Sequence, residues 1–89
     1  MLYMVIEHFK RGAPEVYRRF REQGRMMPDG LEYVSSWISD DLTTCWQLMQ
    51  TNDPTLFDQW TRNWDDLMDF QIIPVLTSAE VREVMNKQS

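Results

Sequence analysis

Leu2 to Phe9, LYMVIEHF, has the length and the branched and aromatic residues of a β-strand, yet neither of its sides is polar. Successive strand side chains point to opposite faces, so Leu2, Met4, Ile6 and His8 share one side and Tyr3, Val5, Glu7 and Phe9 the other. The stretch SSWISDDLTTCWQLMQT, Ser35 to Thr51, behaves the same way on both arms of its polar turn. A sheet wetted on one side alternates apolar and polar residues. Strands like these must be covered on both faces, and that requirement narrows the possible folds more than any other feature of the chain.

The remaining segments identify one cover. After Lys10-Arg11-Gly12, Ala13-Pro14 opens a helix, with Pro14 at a first-turn position whose N–H has no helical partner anyway. Val16, Tyr17, Phe20 and Gly24 recur at helical spacing, while Arg18, Arg19, Arg21 and Glu22 point away. MMPDG ends this helix. Leu31 to Ile38 and Thr43 to Thr51 read as the second and third strands, joined by SDDL. Asp53-Pro54 caps and opens a second helix carrying Leu56, Phe57, Trp60, Trp64 and Leu67. Beside Phe57, Trp60 and Trp64 at i, i+4 read as core rather than as a ligand cage. FQIIPV, from Asp69 or Phe70 to Val75, is a fourth strand, and because Pro74 lacks an N–H the strand belongs at a sheet edge or ends there. Thr77 and Glu80 match a capping box at the start of a last short helix with Val81, Val84 and Met85 on one side.

The order β-α-β-β-α-β-α, with right-handed crossovers, gives an α+β fold. It is one ferredoxin-like βαββαβ domain over residues 1–89 with a C-terminal helix, both main helices on one face of the sheet. The other face has no cover within the chain. Of the 89 residues 43% are hydrophobic and four are Trp, while a chain this short buries only about 60–65% of its unfolded surface. A second copy is the simplest cover. The expectation is a homodimer with its two sheets face to face, a dimeric α+β barrel enclosing a cavity.

Charge and motifs narrow the function. A net charge of −5 argues against nucleic acid, a polyanion that selects basic surfaces. Lys10, Arg11, Arg18, Arg19, Arg21 and Arg25 form the one basic cluster. It reads either as an anion site or as a solvated helix face, and Glu15 and Glu22, three or four residues from Arg18, Arg19 and Arg25, favour the solvated face. A single Cys excludes an internal disulfide and leaves no metal cluster; no cofactor and no metal are expected. No run approaches the ~20 apolar residues that span a bilayer. The start has no basic leader and its apolar run breaks at Glu7, so a cytoplasmic protein is expected. No Gly-rich phosphate loop is present.

Across its whole length the chain resembles a small bacterial family catalogued as domain of unknown function 3303. The resemblance rests on MVIEHF, GRMMPDGLEYVSSW, CWQLMQT, WTRNWDDL and DFQIIPV. It implies the dimeric α+β-barrel superfamily and no particular reaction. Gln71 departs from the pattern, which usually has an acidic residue there.

Which side chains reach the cavity depends on the parity of the hairpin turn, because a one-residue slip exchanges the faces. An odd turn pairs Trp37 with Cys45, Ser35 with Gln47 and Tyr33 with Met49, and gives the helices Val34, Ile38, Trp46 and Leu48. An even turn pairs Trp37 with Thr44 and moves Tyr33 and Ser35 to the Trp46 side. The odd turn gathers the polar groups into the cavity and is preferred, making Glu7, Tyr33, Trp37, Cys45 and Gln47 the expected ligand-binding set. A carboxyl such as Glu7 in an apolar cavity has a raised pKa suited to acid–base work. His8 lies on the opposite side of its strand from Glu7, so a Cys45–His8 dyad is not expected, and Cys45 reads as a buried filler. Three functions are compatible: a small-molecule binder with its site between the sheets, a cofactor-independent oxygenase or isomerase, and a non-catalytic dimeric interaction module.

Overall fold

The computed structural model describes residues 1–88. Its elements are β1 (Leu2–Phe9), α1 (Ala13–Gln23), β2 (Glu32–Ile38), β3 (Thr44–Gln50), α2 (Leu56–Thr61), β4 (Met68–Val75) and α3 (Ser78–Gln88). The four strands form one sheet in the order β2-β3-β1-β4, every neighbour antiparallel. This is the ferredoxin-like arrangement expected from the element order. Pro74 sits on the edge strand opposite Tyr3, where its missing N–H interrupts no inner ladder.

Tyr3, Val5, Glu7 and Phe9 of β1 share a face with Cys45, Gln47 and Met49 of β3 and with Met68, Phe70 and Ile72 of β4. The core lies on this side. Val5 and Met49 are fully buried and Trp60 nearly so, and full burial of such side chains is worth roughly 1.5–3 kcal/mol each. Edge-to-face contacts link Tyr3, Phe57, Trp60 and Phe70 in a chain. The predicted stripe on the second helix is the one that packs, although α2 itself ends at Thr61 and the chain continues in tight turns. Trp64 N and Asp65 N donate to Thr61 O at 3.0 and 2.8 Å, and Leu67 N donates to Trp64 O at 2.9 Å. Trp64 and Leu67 therefore stay buried without a regular helix. Asp53 Oδ1 accepts from Thr55 N at 3.1 Å, bracing the turn before α2, whose own N-cap is Thr55 and not the expected Asp53.

The hairpin register corrects the expected one. Ile38 pairs with Cys45 and Trp37 with Trp46, leaving residues 39–44, an even number, between the last paired positions. A bulge between Tyr33 and Ser35 then shifts the register by one, so that Tyr33 still faces Met49. The expected Trp37–Cys45 and Ser35–Gln47 pairs do not form. Ser36 and Ile38 lie on the Cys45 side, while Trp37 and Ser35 lie with Trp46 and Leu48 on the other face. Asp41 builds the turn by accepting from Ser39 Oγ at 2.7 Å and from Thr43 N at 3.1 Å. Those bonds fix a loop whose even length was not evident from SDDL alone.

A second correction is independent of the register. Cys45, Gln47 and Glu7 face the chain's own helices, not the open face. The open face carries Met4, Ile6, Trp46, Leu48, Trp37 and Ile73, with Trp37 54% and Ile73 44% exposed. Gln71 lies on this face too, opposite Ile6 at the sheet edge.

The capping box forms as its sequence requires: Glu80 N donates to Thr77 Oγ1 at 3.1 Å, and Thr77 N to Glu80 Oε1 at 3.0 Å. The helix it starts, α3, leaves Val81, Val84 and Met85 exposed. It extends the molecule to 50 Å on its long axis, with a radius of gyration of 14.9 Å, where a compact chain of this length has about 12 Å.

Candidate functional site

The polar residues of the helix-side face do not all meet helix. Around Glu7, Cys45 and Gln47 the sheet and α1 stand apart, leaving a cavity of about 150 Å³. Phe9, Val16, Ile38, Trp60, Trp64 and Met68 supply its apolar walls, and Ser36 and Arg25 add polar groups. Tyr17 and Phe20 form its outer wall. Both belong to the predicted apolar stripe of α1, yet they remain 39% and 37% exposed. A stripe residue over a packed core would be buried; these two lie over space.

Antiparallel pairing sets Glu7 directly opposite Cys45. Burial lifts the Glu7 carboxyl from its ordinary 4.5 to about 7, and the hydrogen bond from the Cys45 thiol and the charge of Arg25 pull it back only in part. Glu7 thus exchanges a proton near neutrality. The same burial, with the negative charge of Glu7 beside it, pushes the Cys45 thiol up to about 12. Cys45 is a protonated hydrogen-bond donor here, not a thiolate nucleophile. The Gln47 amide donates to Met49 Sδ at 3.4 Å, a poor acceptor that leaves most of its hydrogen-bonding capacity for other partners.

Arg25 is the member that sequence reasoning did not single out. It follows Gly24, whose φ of +68° turns the chain out of α1. Trp60 Nε1 and Trp64 Nε1 both donate to Arg25 O at 3.0 Å, using both lone pairs of one carbonyl. Asn63 Nδ2 donates to Met26 O at 3.2 Å, holding Met26 in the left-handed region at φ +56°, an uncommon conformation for a residue with a side chain. The Arg25 guanidinium lies 3.8 Å from the Tyr33 ring centre and 5.0 Å from that of Phe20. Tyr33 OH is 2.8 Å from Ser36 Oγ.

Of the five expected ligand-binding residues, Glu7, Cys45 and Gln47 line one cavity, and Tyr33 supports it through Arg25 and Ser36. Trp37 is on the opposite face and takes no part. The basic cluster also divides. Of the expected helix-face pairs only Arg18 with Glu15 forms among the described residues, while Lys10 pairs with Asp69 and Arg19 with Asp66, both across to other parts of the chain. Among the described residues no carboxylate lies in ion-pair range of Arg25. The signal for it was position: Arg25 stands just beyond Gly24, past the end of α1. No group of three His, Cys, Asp or Glu side chains suited to a metal ion occurs among the described residues, nor does any of their helices have the length and apolarity to cross a membrane.

A family model described as domain of unknown function (DUF3303) matches residues 1–89. No curated protein and no solved structure matches the chain.

Proposed function

The chain thus belongs to the DUF3303 family, and from that premise we propose that it binds a small, largely apolar molecule in the pocket between its sheet and α1. The carrying observation is that Tyr17 and Phe20 stand over about 150 Å³ of unfilled space, against a buried Glu7. Apolar walls with a few converging polar groups are the usual make-up of a small-molecule site. The chemistry the pocket offers is proton exchange through Glu7, which favours an isomerase-type use over thiol chemistry at Cys45. The test is a titration of the 15N-labelled protein with toluene and indole. Shifts confined to Ser36, Cys45, Gln47 and their neighbours support the reading; no shift at millimolar ligand removes it.

The open face supports a second, compatible reading, a homodimer. Its centre is apolar, with Met4, Ile6, Trp37, Trp46 and Leu48, and its margin is polar, with His8, Asp69, Gln50 and Gln71. That is the core-and-rim anatomy of an interface. The exposed α3 stripe of Val81, Val84 and Met85 adds further apolar surface to the molecule. One patch serving both copies is what a two-fold dimer needs. Light scattering after size exclusion should give twice the chain mass, and Trp37→Glu with Trp46→Glu should give the monomer. A wild-type monomer at micromolar concentration would refute the dimer and leave the pocket untouched.

A further inference from the structure

The geometry assigns a ligand class to this pocket: a small organic anion, an aromatic carboxylate of about benzoate size, with its carboxylate on Arg25 and its ring against Trp60, Trp64 and Met68. This rests on the pocket reading above and goes beyond it in fixing charge, size and orientation.

Three observations converge. The first is a cation with no carboxylate in ion-pair contact, its charge reaching Glu7 only across the pocket. Lys10, Arg18 and Arg19 each meet a carboxylate, whereas Arg25 lies over the Tyr33 ring and near that of Phe20. Stacking occupies the faces of a guanidinium and leaves its edge, where the five N–H donors lie, for a planar carboxylate. The second is preorganisation. Two indole N–H groups clamp the Arg25 carbonyl, Asn63 holds the next residue, and the Tyr33 ring beneath the guanidinium is itself tied to Ser36. A cation fixed before binding loses little freedom on binding. The third is the space beside it. A cavity of about 150 Å³ is the size that accommodates one benzene ring in a dry apolar site.

The polar lining refines the class. Ser36 and Gln47 offer hydrogen-bonding groups in the same lining, so a hydroxyl or carbonyl substituent on the ring finds partners. Other ligands fit less well. An inorganic phosphate would leave the apolar walls bare, and an organic cation would meet Arg25. The overall charge of −5 works against anions, which makes the local charge of Arg25 the deciding feature.

The test compares benzoate with its neutral isostere benzamide by NMR titration of the full chain. Benzoate should bind at least tenfold more tightly and shift the amides of Ser36, Cys45 and Gln47. Arg25→Gln should remove that preference, Arg25→Lys should retain part of it, and Arg18→Gln should leave it unchanged. Equal affinity of the two probes at these amides overturns the anion assignment while the pocket reading stands. Failure of both probes overturns the anion assignment, and the pocket reading falls with it only if toluene and indole also give no shift. Because the benzoate-to-benzamide ratio is read on the wild-type protein, the inference stays refutable even if Arg25→Gln fails to fold.

Discussion

Replacing Glu7 by Gln removes one ionisation while nearly preserving shape, and its effect on stability should depend on pH with a definite sign. Folding raises this carboxyl from 4.5 to about 7, so the native state holds the proton more tightly than the unfolded chain. Below about pH 4.5 both states carry it and Glu7 adds no pH dependence. As pH rises further the unfolded chain releases its proton first, which favours unfolding. The loss grows until the native carboxyl also ionises near 7 and then levels off. A gap of about 2.5 between the two values, at about 1.36 kcal/mol each, amounts to about 3 kcal/mol. Domain stabilities are roughly 5–15 kcal/mol in all. Urea unfolding followed by tryptophan fluorescence, at about pH 4.5 and pH 8, would read it as a relative midpoint shift of about 2 M. Asp41 and Glu80, held low by local hydrogen bonds, and Asp66, held low by Arg19, slope the opposite way but are common to both proteins and cancel. Expected is a Gln variant that gains about 3 kcal/mol on the wild type between those two pH values. Parallel profiles would refute the burial argument for Glu7.

The remaining predictions concern its neighbours. Cys45, with its thiol pushed up to about 12, should resist a thiol-specific disulfide reagent in the native state at pH 8, its rate following global unfolding under increasing urea; rapid native labelling would contradict a buried, protonated thiol. Trp60→Phe and Trp64→Phe each remove one indole donor from the Arg25 carbonyl, at about 1 kcal/mol for the bond plus lost packing. The double variant should cost more than the sum of the two in urea unfolding, since only then is that carbonyl left unpaired; strict additivity would mean the shared acceptor is unimportant.

Much of the fold was legible because several independent signals agreed. β1 and β4 were given by residue type and by Pro74, α3 by its reciprocal Thr77–Glu80 cap. The extent of α2 was overread: Trp64 and Leu67 keep helical spacing because the turns after Thr61 are nearly as tight as a helix. The site was legible in part. Strand alternation puts Glu7, Cys45 and Gln47 on one side, but it does not say which side the helices take when both are apolar. The polar side was expected to face a partner; it faces α1 because α1 does not close over that end of the sheet. Trp37 was misplaced for another reason. The bulge between Tyr33 and Ser35 carries no Gly to mark it, so no residue in GLEYVSSW signals the change of register.

That bulge acts as a phase shifter in an otherwise periodic strand. Without the extra residue, β2 would present either Tyr33 or Ser36 and Ile38 to the pocket, never all three. With it, the start of the strand supplies the ring under Arg25 and the end supplies part of the cavity wall, while Trp37 is released to the opposite surface. Deleting Val34 would therefore not shorten one loop by a residue. It would put half of the strand out of step and detach the guanidinium's platform from the chamber it overlooks, at a position that touches neither.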